Sequence, residues 1–344
     1  MKIQDTKAII MAGGRGTRLM PLTKKLPKPL MPVLNRPVIF YTIDLLRNYG
    51  INNIGITLMH MPQMIINSTN QNFLGRFDYF IEEHPLGTAG SVKSVSNWLD
   101  QTAPFIVISG DALTNIDLDG IVKAHLSSNA DITMAVKEVK NPALYGVVKT
   151  DKDGFISEFL EKPKNGEIDS NLINCGIYII NPQILKKIPK NIAFDFSRDL
   201  FPLILKSGKK IFTYKLDGYW CDIGCIEEYF KANMDMLNEI NGLNMFNKNR
   251  EGLLNTAIRR TFLGKNSFIG LKVEIGNNVV IGDNCYINGN ISLSDCIIAD
   301  NTFLDVSCHN VIATPEHYIP IQVSHQIFQK PQEKPQIAVN NGYN

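Results

Sequence analysis

Apolar positions follow two rhythms along the chain. Between residues 7 and 139, short β-branched runs (7–12, 53–59, 77–82, 105–109 and 131–139) alternate with segments whose apolar residues recur three and four positions apart (37–49, 88–99 and 118–127). The first rhythm predicts strands and the second predicts amphipathic helices. Pro37 stands where a first-turn proline is tolerated. Strand and helix in alternation predict an open α/β sheet, which binds ligands beyond the carboxyl ends of its strands. From 145 to 214 the pattern shortens to strands at 146–150, 155–160, 172–180 and 210–214, broken by Pro, Gly and Asp-Gly turns. These predict a mixed subdomain over one side of the site. A helix is expected at 226–240, followed by a polar, Asn-rich linker at 241–262.

A different period follows. Leu263, Ile269, Ile275, Ile281, Ile287 and Leu293 recur every six residues, and Gly follows the first four. A second column, Ser267, Val273, Val279, Cys285, Ile291 and Ile297, stands four positions further on. A period of six predicts a left-handed parallel β-helix: three six-residue sides make a coil, and aliphatics stack inside it. Residues 263–314 would supply about three coils on that arithmetic. Residues 315–344 are rich in Gln, Pro and Asn, lack periodicity beyond 318–323, and are expected to be a partly ordered tail. The expected order is therefore an α/β domain with a Rossmann-like mixed and parallel sheet at 1–240, then linker, β-helix and tail.

Composition narrows the function. At 44% hydrophobic the chain can bury a sizeable core, and 35 Lys plus Arg against 33 Asp plus Glu give a net charge of +2, too little for a general nucleic-acid binder. No run of 18 apolar residues predicts a membrane span. The apolar stretch near the N-terminus, about six residues long, is shorter than a secretory core, so a cytoplasmic setting is expected. Six cysteines (175, 221, 225, 285, 296 and 308) form no dense disulfide framework, and the near pair Cys221 and Cys225 lacks a second pair at zinc spacing. The six histidines share no motif.

Candidate chemistry begins after the first strand, where Ala12 leads into Gly13-Gly14-Arg15-Gly16-Thr17-Arg18. Three glycines allow close backbone approach, and successive N–H groups can form an anion nest. Leu19 occupies the position where a dinucleotide fingerprint needs glycine, and no Gly-Lys-Ser/Thr follows, so neither common nucleotide motif applies. The continuation, Pro21-Leu22-Thr23 and Pro27-Lys28-Pro29-Leu30-Met31-Pro32, is a proline-stiffened segment that fixes Lys28.

Residues 13–33 as a whole resemble the signature of the sugar-1-phosphate nucleotidyltransferases, and further stations follow through about residue 235. The resemblance implies that Arg18 and Lys28 grip the triphosphate and departing pyrophosphate, while the glycine loop from Ala12 to Thr17 holds phosphates. Ser109-Gly110-Asp111 and Trp220-Cys221-Asp222 match stations that make Asp111 and Asp222 the ligands of a catalytic Mg²⁺. Taken singly, each aspartate reads equally as a cap or turn residue. Glu161-Lys162-Pro163 resembles the sugar-phosphate station, with Tyr145-Gly146 and Asn174-Cys175-Gly176 as further sugar contacts and Asp195 as an acidic one. By composition Glu161 and Lys162 are a solvated pair, and the glycines are turn or bulge positions.

The chemistry so implied, attack of a sugar 1-phosphate on the α-phosphorus of a nucleoside triphosphate, needs no general base because the nucleophile is already ionised. The site must screen two anions and hold them in line. Glu82, ahead of His84-Pro85-Leu86-Gly87-Thr88, resembles the nucleobase station with Glu where uracil- and thymine-selective relatives tend to carry Gln. A carboxylate only accepts, and guanine offers two adjacent donors. The motif 86–90 and the run 195–202 resemble mannose-1-phosphate guanylyltransferases. The expectation is therefore GTP with mannose 1-phosphate, or a manno-configured relative such as a heptose 1-phosphate. Alternatives are a glucose-1-phosphate adenylyl-, uridylyl- or thymidylyltransferase, a non-catalytic nucleotide-sugar sensor, and an acyltransferase in which His309 of the β-helix takes part. The expected partners are small molecules and, through the β-helix, further copies of the chain.

Overall fold

A computed structural model describes residues 2–164, 167–247, 252–255 and 260–322. Strands Phe105–Ser109, Ala8–Met11, Ile54–Leu58 and Asp78–Ile81 lie side by side in that order, all parallel. Both faces are covered. Ile10, Ile56 and Ile108 pack with Ile39 and Ile43 of helix Val38–Asn48, while Ile9 and Val107 pack with Ala89 and Val92 of helix Gly87–Ser94. Burial on two sides explains why Phe105–Ser109 and Ala8–Met11, the first two of these strands, read as nearly unbroken apolar runs. Helix Pro62–Asn72, absent from the expected elements, buries just Ile65 and Thr69, too thin a stripe to show as a helical period.

The mixed subdomain expected after residue 145 is not a separate layer. Leu172–Ile180 pairs antiparallel with Phe105–Ser109, and through it Gly146–Thr150, Ile156–Glu161, Ile132–Glu138 and Ile211–Lys215 join one nine-stranded sheet. The physical reason is the open edge of Phe105–Ser109, which offers unpaired backbone groups to a long neighbour. Leu172–Ile180 also bends, because its register against Ile132–Glu138 shifts between Asn174 and Tyr178, with Gly176 at φ +70° in the left-handed region.

A two-stranded ribbon was not legible from periodicity. Trp220–Asp222 pairs antiparallel with Ala112–Thr114, setting Asp222 opposite Ala112. Each strand has three residues, too few to carry a pattern.

The C-terminal strands form three parallel ladders. Arg260–Leu263, Val279–Ile281 and the ends of Ile291–Ile298 and Cys308–Ala313 make the first; Phe268–Ile269, Tyr286–Ile287 and Phe303–Leu304 the second; Val273–Ile275 and the starts of Ile291–Ile298 and Cys308–Ala313 the third. Leu263, Ile269, Ile275, Ile281, Ile287 and Leu293 share one internal apolar cluster, consistent with the expected repeat. The period then slips: Cys296 and Ile298 point into that cluster, whereas Ile297 joins Phe262, Val280 and Ile312 on the outside. Those four side chains pack against Tyr41, Tyr229, Phe230 and Leu237, so one ladder is welded to the helix Ile226–Leu237. Asn35 and Asn238 add hydrogen bonds to Asp283 and Asn278, both 3.0 Å.

Of the expected linker, 248–251 and 256–259 lie outside the described residues, as does 323–344 of the expected tail. The neighbouring parts are paired: Leu253–Asn255 with Arg260–Leu263, and Tyr318–Pro320 with Val311–Ala313. Among the described residues no helix is long and apolar enough to cross a membrane. The six cysteines are free thiols.

Candidate functional site

The parallel strands end at one rim, and two adjoining cavities open there. The first, about 290 Å³, is lined by Gly13, Gly14, Glu82, Gly87, Thr88 and Asp195 among others. The second, about 180 Å³, is lined by Arg18, Gly146, Glu161, Lys162, Asn174 and Asp222. Ser109 and Asp111 line both and mark the junction. Residues spread over more than 200 positions thus meet in a single cleft, where an open α/β sheet is expected to hold its ligands.

Lys28 lines neither cavity but lies behind the junction, bonded to the acids that do. Its ammonium donates to Asp111 at 2.5 Å and to Asp222 at 2.9 Å. Pro27 and Pro29 bracket it on the short 3₁₀ turn Lys28–Leu30, and the residue is almost fully buried. Gly16 explains how it is held: φ is +65°, and a Cβ there would lie 2.9 Å from Lys28 Cβ and 3.1 Å from Thr23 Cγ2. The Thr23 hydroxyl ties the turn by donating to the Gly16 carbonyl at 2.8 Å. Asp111 arrives from the end of Phe105–Ser109 by way of Gly110, and the ribbon brings Asp222 beside it. The backbone N–H of Ile223 closes the join on the Asp111 carbonyl at 3.3 Å.

Three charges in a partly dry site shift one another. Burial alone would lower the Lys28 ammonium, but Asp111 and then Asp222 outweigh it and hold the group above the ordinary lysine value. Asp111 is opposed by burial, yet Lys28 keeps it below the usual carboxylate range. Asp222 is raised, first by burial and then by the charge of Asp111, against the pull of Lys28 and Arg18. With both acids ionised the trio carries net −1, and Arg18, whose charge reaches Asp222, brings the cluster to neutral.

Expected binding residues fall into groups. Glu82 accepts from the Ser91 hydroxyl through Oε1 and from the Leu86 N–H through Oε2 at 3.2 Å. A carboxylate has about four lone-pair sites, so acceptor capacity remains. Asn174 uses Oδ1 to accept from the Gly176 N–H at 2.9 Å and Nδ2 to donate to the Tyr178 hydroxyl at 2.8 Å, which fixes its amide on the bulge. Gly146 is required by packing, since a Cβ would lie 2.7 Å from Phe159 Cζ and 2.9 Å from Glu161 Oε2. Glu161 is raised chiefly by burial, and Lys162 beside it opposes the shift. Lys162 itself is exposed, with φ at +50°.

Asp195 stands between the two groups. It lines the first cavity with Glu82, where it accepts from the Thr88 hydroxyl at 2.8 Å and caps the following turn through the Ser197 and Arg198 N–H groups, while its charge also reaches Glu161, one of the expected sugar contacts. Its side chain faces Thr88 because the segment 194–196 pairs with the start of helix Gly87–Ser94: the Phe194 carbonyl accepts from Ala89 and Gly90. Arg15 and Thr17 are exposed, and Ala12 is buried; none of the three lines either cavity. Sequence reading missed the residues that hold the others, Ser91 for Glu82 and Tyr178 for Asn174, because a hydroxyl in a helix or strand carries no spacing signal. Among the described residues no cluster of three or more His, Cys, Asp or Glu is arranged around a metal, so the paired carboxylates are the oxygen donors at hand.

The nucleotidyl transferase family model matches residues 7–239, which contain every side chain of this cleft. The chain belongs to the nucleotidyl transferase family. Its relatives include a UTP–glucose-1-phosphate uridylyltransferase from Synechocystis, 36% identical over 66% of this chain and 62% of that protein. A mannose-1-phosphate guanylyltransferase from Mycobacterium tuberculosis is 32% identical over 70% of this chain and 67% of its own length. Among solved structures, HddC from Yersinia pseudotuberculosis, crystallised with GMP-PN, is 29% identical with a TM-score of 0.58, over 66% of this chain and 98% of that one. The chain thus spans under two thirds of some curated relatives and just two thirds of others. Nucleotidyltransferases of this family generally use a divalent metal.

Proposed function

We propose that this protein is a sugar-1-phosphate guanylyltransferase, joining GTP and mannose 1-phosphate, or another manno-configured sugar 1-phosphate, into a GDP-sugar with release of pyrophosphate. The observation that carries the reading is the Lys28 ammonium held between Asp111 and Asp222 behind the junction of two cavities. One cavity has the glycine loop and Glu82, and the other Glu161, Lys162 and Asn174. Two anionic substrates would therefore approach a common point from opposite sides.

Backbone N–H groups of the loop 12–17 cradle phosphates, Arg18 and Lys28 balance their charge, and Glu82 and Thr88, with Gly87 giving close approach, receive the base. Lys162 screens the attacking sugar phosphate, while Gly146, Glu161 and Asn174 orient the sugar. Asp195 sits nearer the nucleotide side and supports Thr88. Asp111 and Asp222 fit Mg²⁺, because hard oxygen donors suit it and one or two carboxylates plus phosphates commonly complete its shell. The chemistry supplied by bound Mg²⁺ is charge neutralisation on phosphate oxygens. The chain's own work is positioning: holding two repelling phosphoesters in line contributes more than any proton transfer here.

Guanine is favoured because Glu82 accepts and does not donate, matching the N1–H and exocyclic amine of the base. The GMP-PN complex of HddC and the guanylyltransferase relatives support this. The uridylyltransferase relative favours a second reading, UTP with glucose 1-phosphate. Pyrophosphate release from each of four nucleoside triphosphates with mannose or glucose 1-phosphate, with and without Mg²⁺, tests both. Equal or faster turnover with UTP or dTTP would remove the guanine reading, and no release from any pair would leave a non-catalytic sensor. Residues 1–240 would carry this activity, 241–262 would connect, and 263–314 would form a left-handed β-helix through which copies associate. The six free thiols support a reducing, cytoplasmic setting.

A further inference from the structure

The second ladder carries an aromatic column on its outer face. Phe268, Tyr286 and Phe303, one per rung, are 50%, 44% and 62% exposed. Their rings stack at centroid distances of 5.0 and 5.5 Å with interplanar angles of 18° and 7°. Leu271 and Val306, at the adjoining corner, are also exposed. The repeat dictates aliphatics inside but makes no demand on the outside, where polar residues would keep a sheet face soluble. The other ladders differ. The first is covered by helix Ile226–Leu237 and its neighbours, and the third presents Ser292, Ser294 and His309 in mutual hydrogen bonds.

We propose that this second face is a dimerisation surface whose occupant is the same face of a second copy of the chain. The proposal rests on the reading that residues 263–314 are the part through which copies associate, and it names the surface. Stacking consumes the ring faces and turns ring edges outward, whereas a sugar or base platform needs open ring faces. The charges favour self-pairing. Lys272 on the first rung and Asp305 on the third occupy the same corner, where Val273 follows Lys272 and pairs with Ile291, and Asp305 follows Leu304, which pairs with Ile287. Neither makes an ion pair among the described residues. Two rungs, roughly 10 Å, keep them apart within one copy.

A two-fold axis lying in the interface along the strand direction, through Tyr286, reverses the rung order between copies. Phe268 then meets the second copy's Phe303, Tyr286 meets its own counterpart, and each Lys272 meets an Asp305. The contact is isologous and closes as a dimer. A two-fold along the stacking direction would carry the corner to the opposite edge and leave both charges unmatched.

Sedimentation equilibrium of the full-length chain tests this. Wild type is expected to be dimeric, and Tyr286→Asn to raise the dissociation constant about thirtyfold or more, as loss of a central interface tyrosine does. Lys272→Asp alone or Asp305→Lys alone should raise it about tenfold, each change acting twice in the dimer, and the two together should restore it. Circular dichroism melting of each variant confirms that the fold is retained. A monomeric wild type at tens of micromolar overturns both the dimer and the association reading on which it rests. A dimer indifferent to Tyr286→Asn overturns this surface and leaves association elsewhere intact. Failure of the double reversal to restore affinity overturns the two-fold arrangement.

Discussion

Substituting neighbouring glycines in the first loop separates recognition from folding. A Cβ on Gly14 would meet nothing within 4 Å, and Gly14 lines the first cavity with φ outside the left-handed region. Gly14→Ala should therefore change stability by no more than about 0.5 kcal/mol. If triphosphate oxygens lie against this backbone, the methyl group holds them off, and loss of one charge-assisted hydrogen bond costs about 1.5–3 kcal/mol. That converts to a fall in kcat/KM of about tenfold to a hundredfold. Gly16→Ala should behave differently. The left-handed conformation at φ +65° costs a non-glycine residue about 1–2 kcal/mol. The contact at 2.9 Å is with Lys28 Cβ, close to the backbone, so overpacking adds about 1–3 kcal/mol. Gly16→Ala should lower stability by roughly 2–5 kcal/mol and displace Lys28 from both aspartates. Urea unfolding followed by fluorescence, paired with pyrophosphate release on the same preparations, reads both quantities. An unchanged kcat/KM for Gly14→Ala would disconnect the loop from phosphate recognition. A loss of stability at Gly14 equal to that at Gly16 would make these glycines purely architectural.

Further outcomes are expected elsewhere. Asp111→Asn and Asp222→Asn should each reduce pyrophosphate release by about a thousandfold, the several kcal/mol of metal-assisted charge stabilisation, and a loss below tenfold would place that role elsewhere. His125 is buried between Thr133 and Asn181, and burial, opposed by Asn181 and Asp131, holds its pKa below the ordinary 6.5. Its folded value is the lower one, so its stabilisation is complete above pH 6.5 and declines as pH falls from there to the folded value, below which it is flat. His125→Gln should flatten that part of the stability–pH curve, and a wild-type-minus-variant difference that is constant between pH 7.5 and 5 would contradict the reasoning. Ile297→Ala, on the ladder face buried against Tyr229 and Phe230, should cost about 2–5 kcal/mol by unfolding, whereas an effect under 0.5 kcal/mol would mean that this face is not packed.

Much of this molecule was readable from local pattern. Strands at Phe105–Ser109, Gly146–Thr150 and Leu172–Ile180 begin and end where the apolar runs do, because period and turn chemistry are properties of a few consecutive residues. The hexad from Leu263 to Leu293 marks inward positions for the same reason. The glycine and proline stations pointed to the cleft through chain stiffness and close approach, both local. Tertiary structure decided what depends on distant partners. Asp222 reaches Asp111 through a ribbon of three-residue strands, Asp195 turns toward Thr88 because segment 194–196 bonds to a helix start, and Ile297 faces outward after the period slips. Periodicity states which side of an element is apolar; it cannot state what that side meets. The acids, the ammonium between them and the covered ladder exist only once the chain has closed around them.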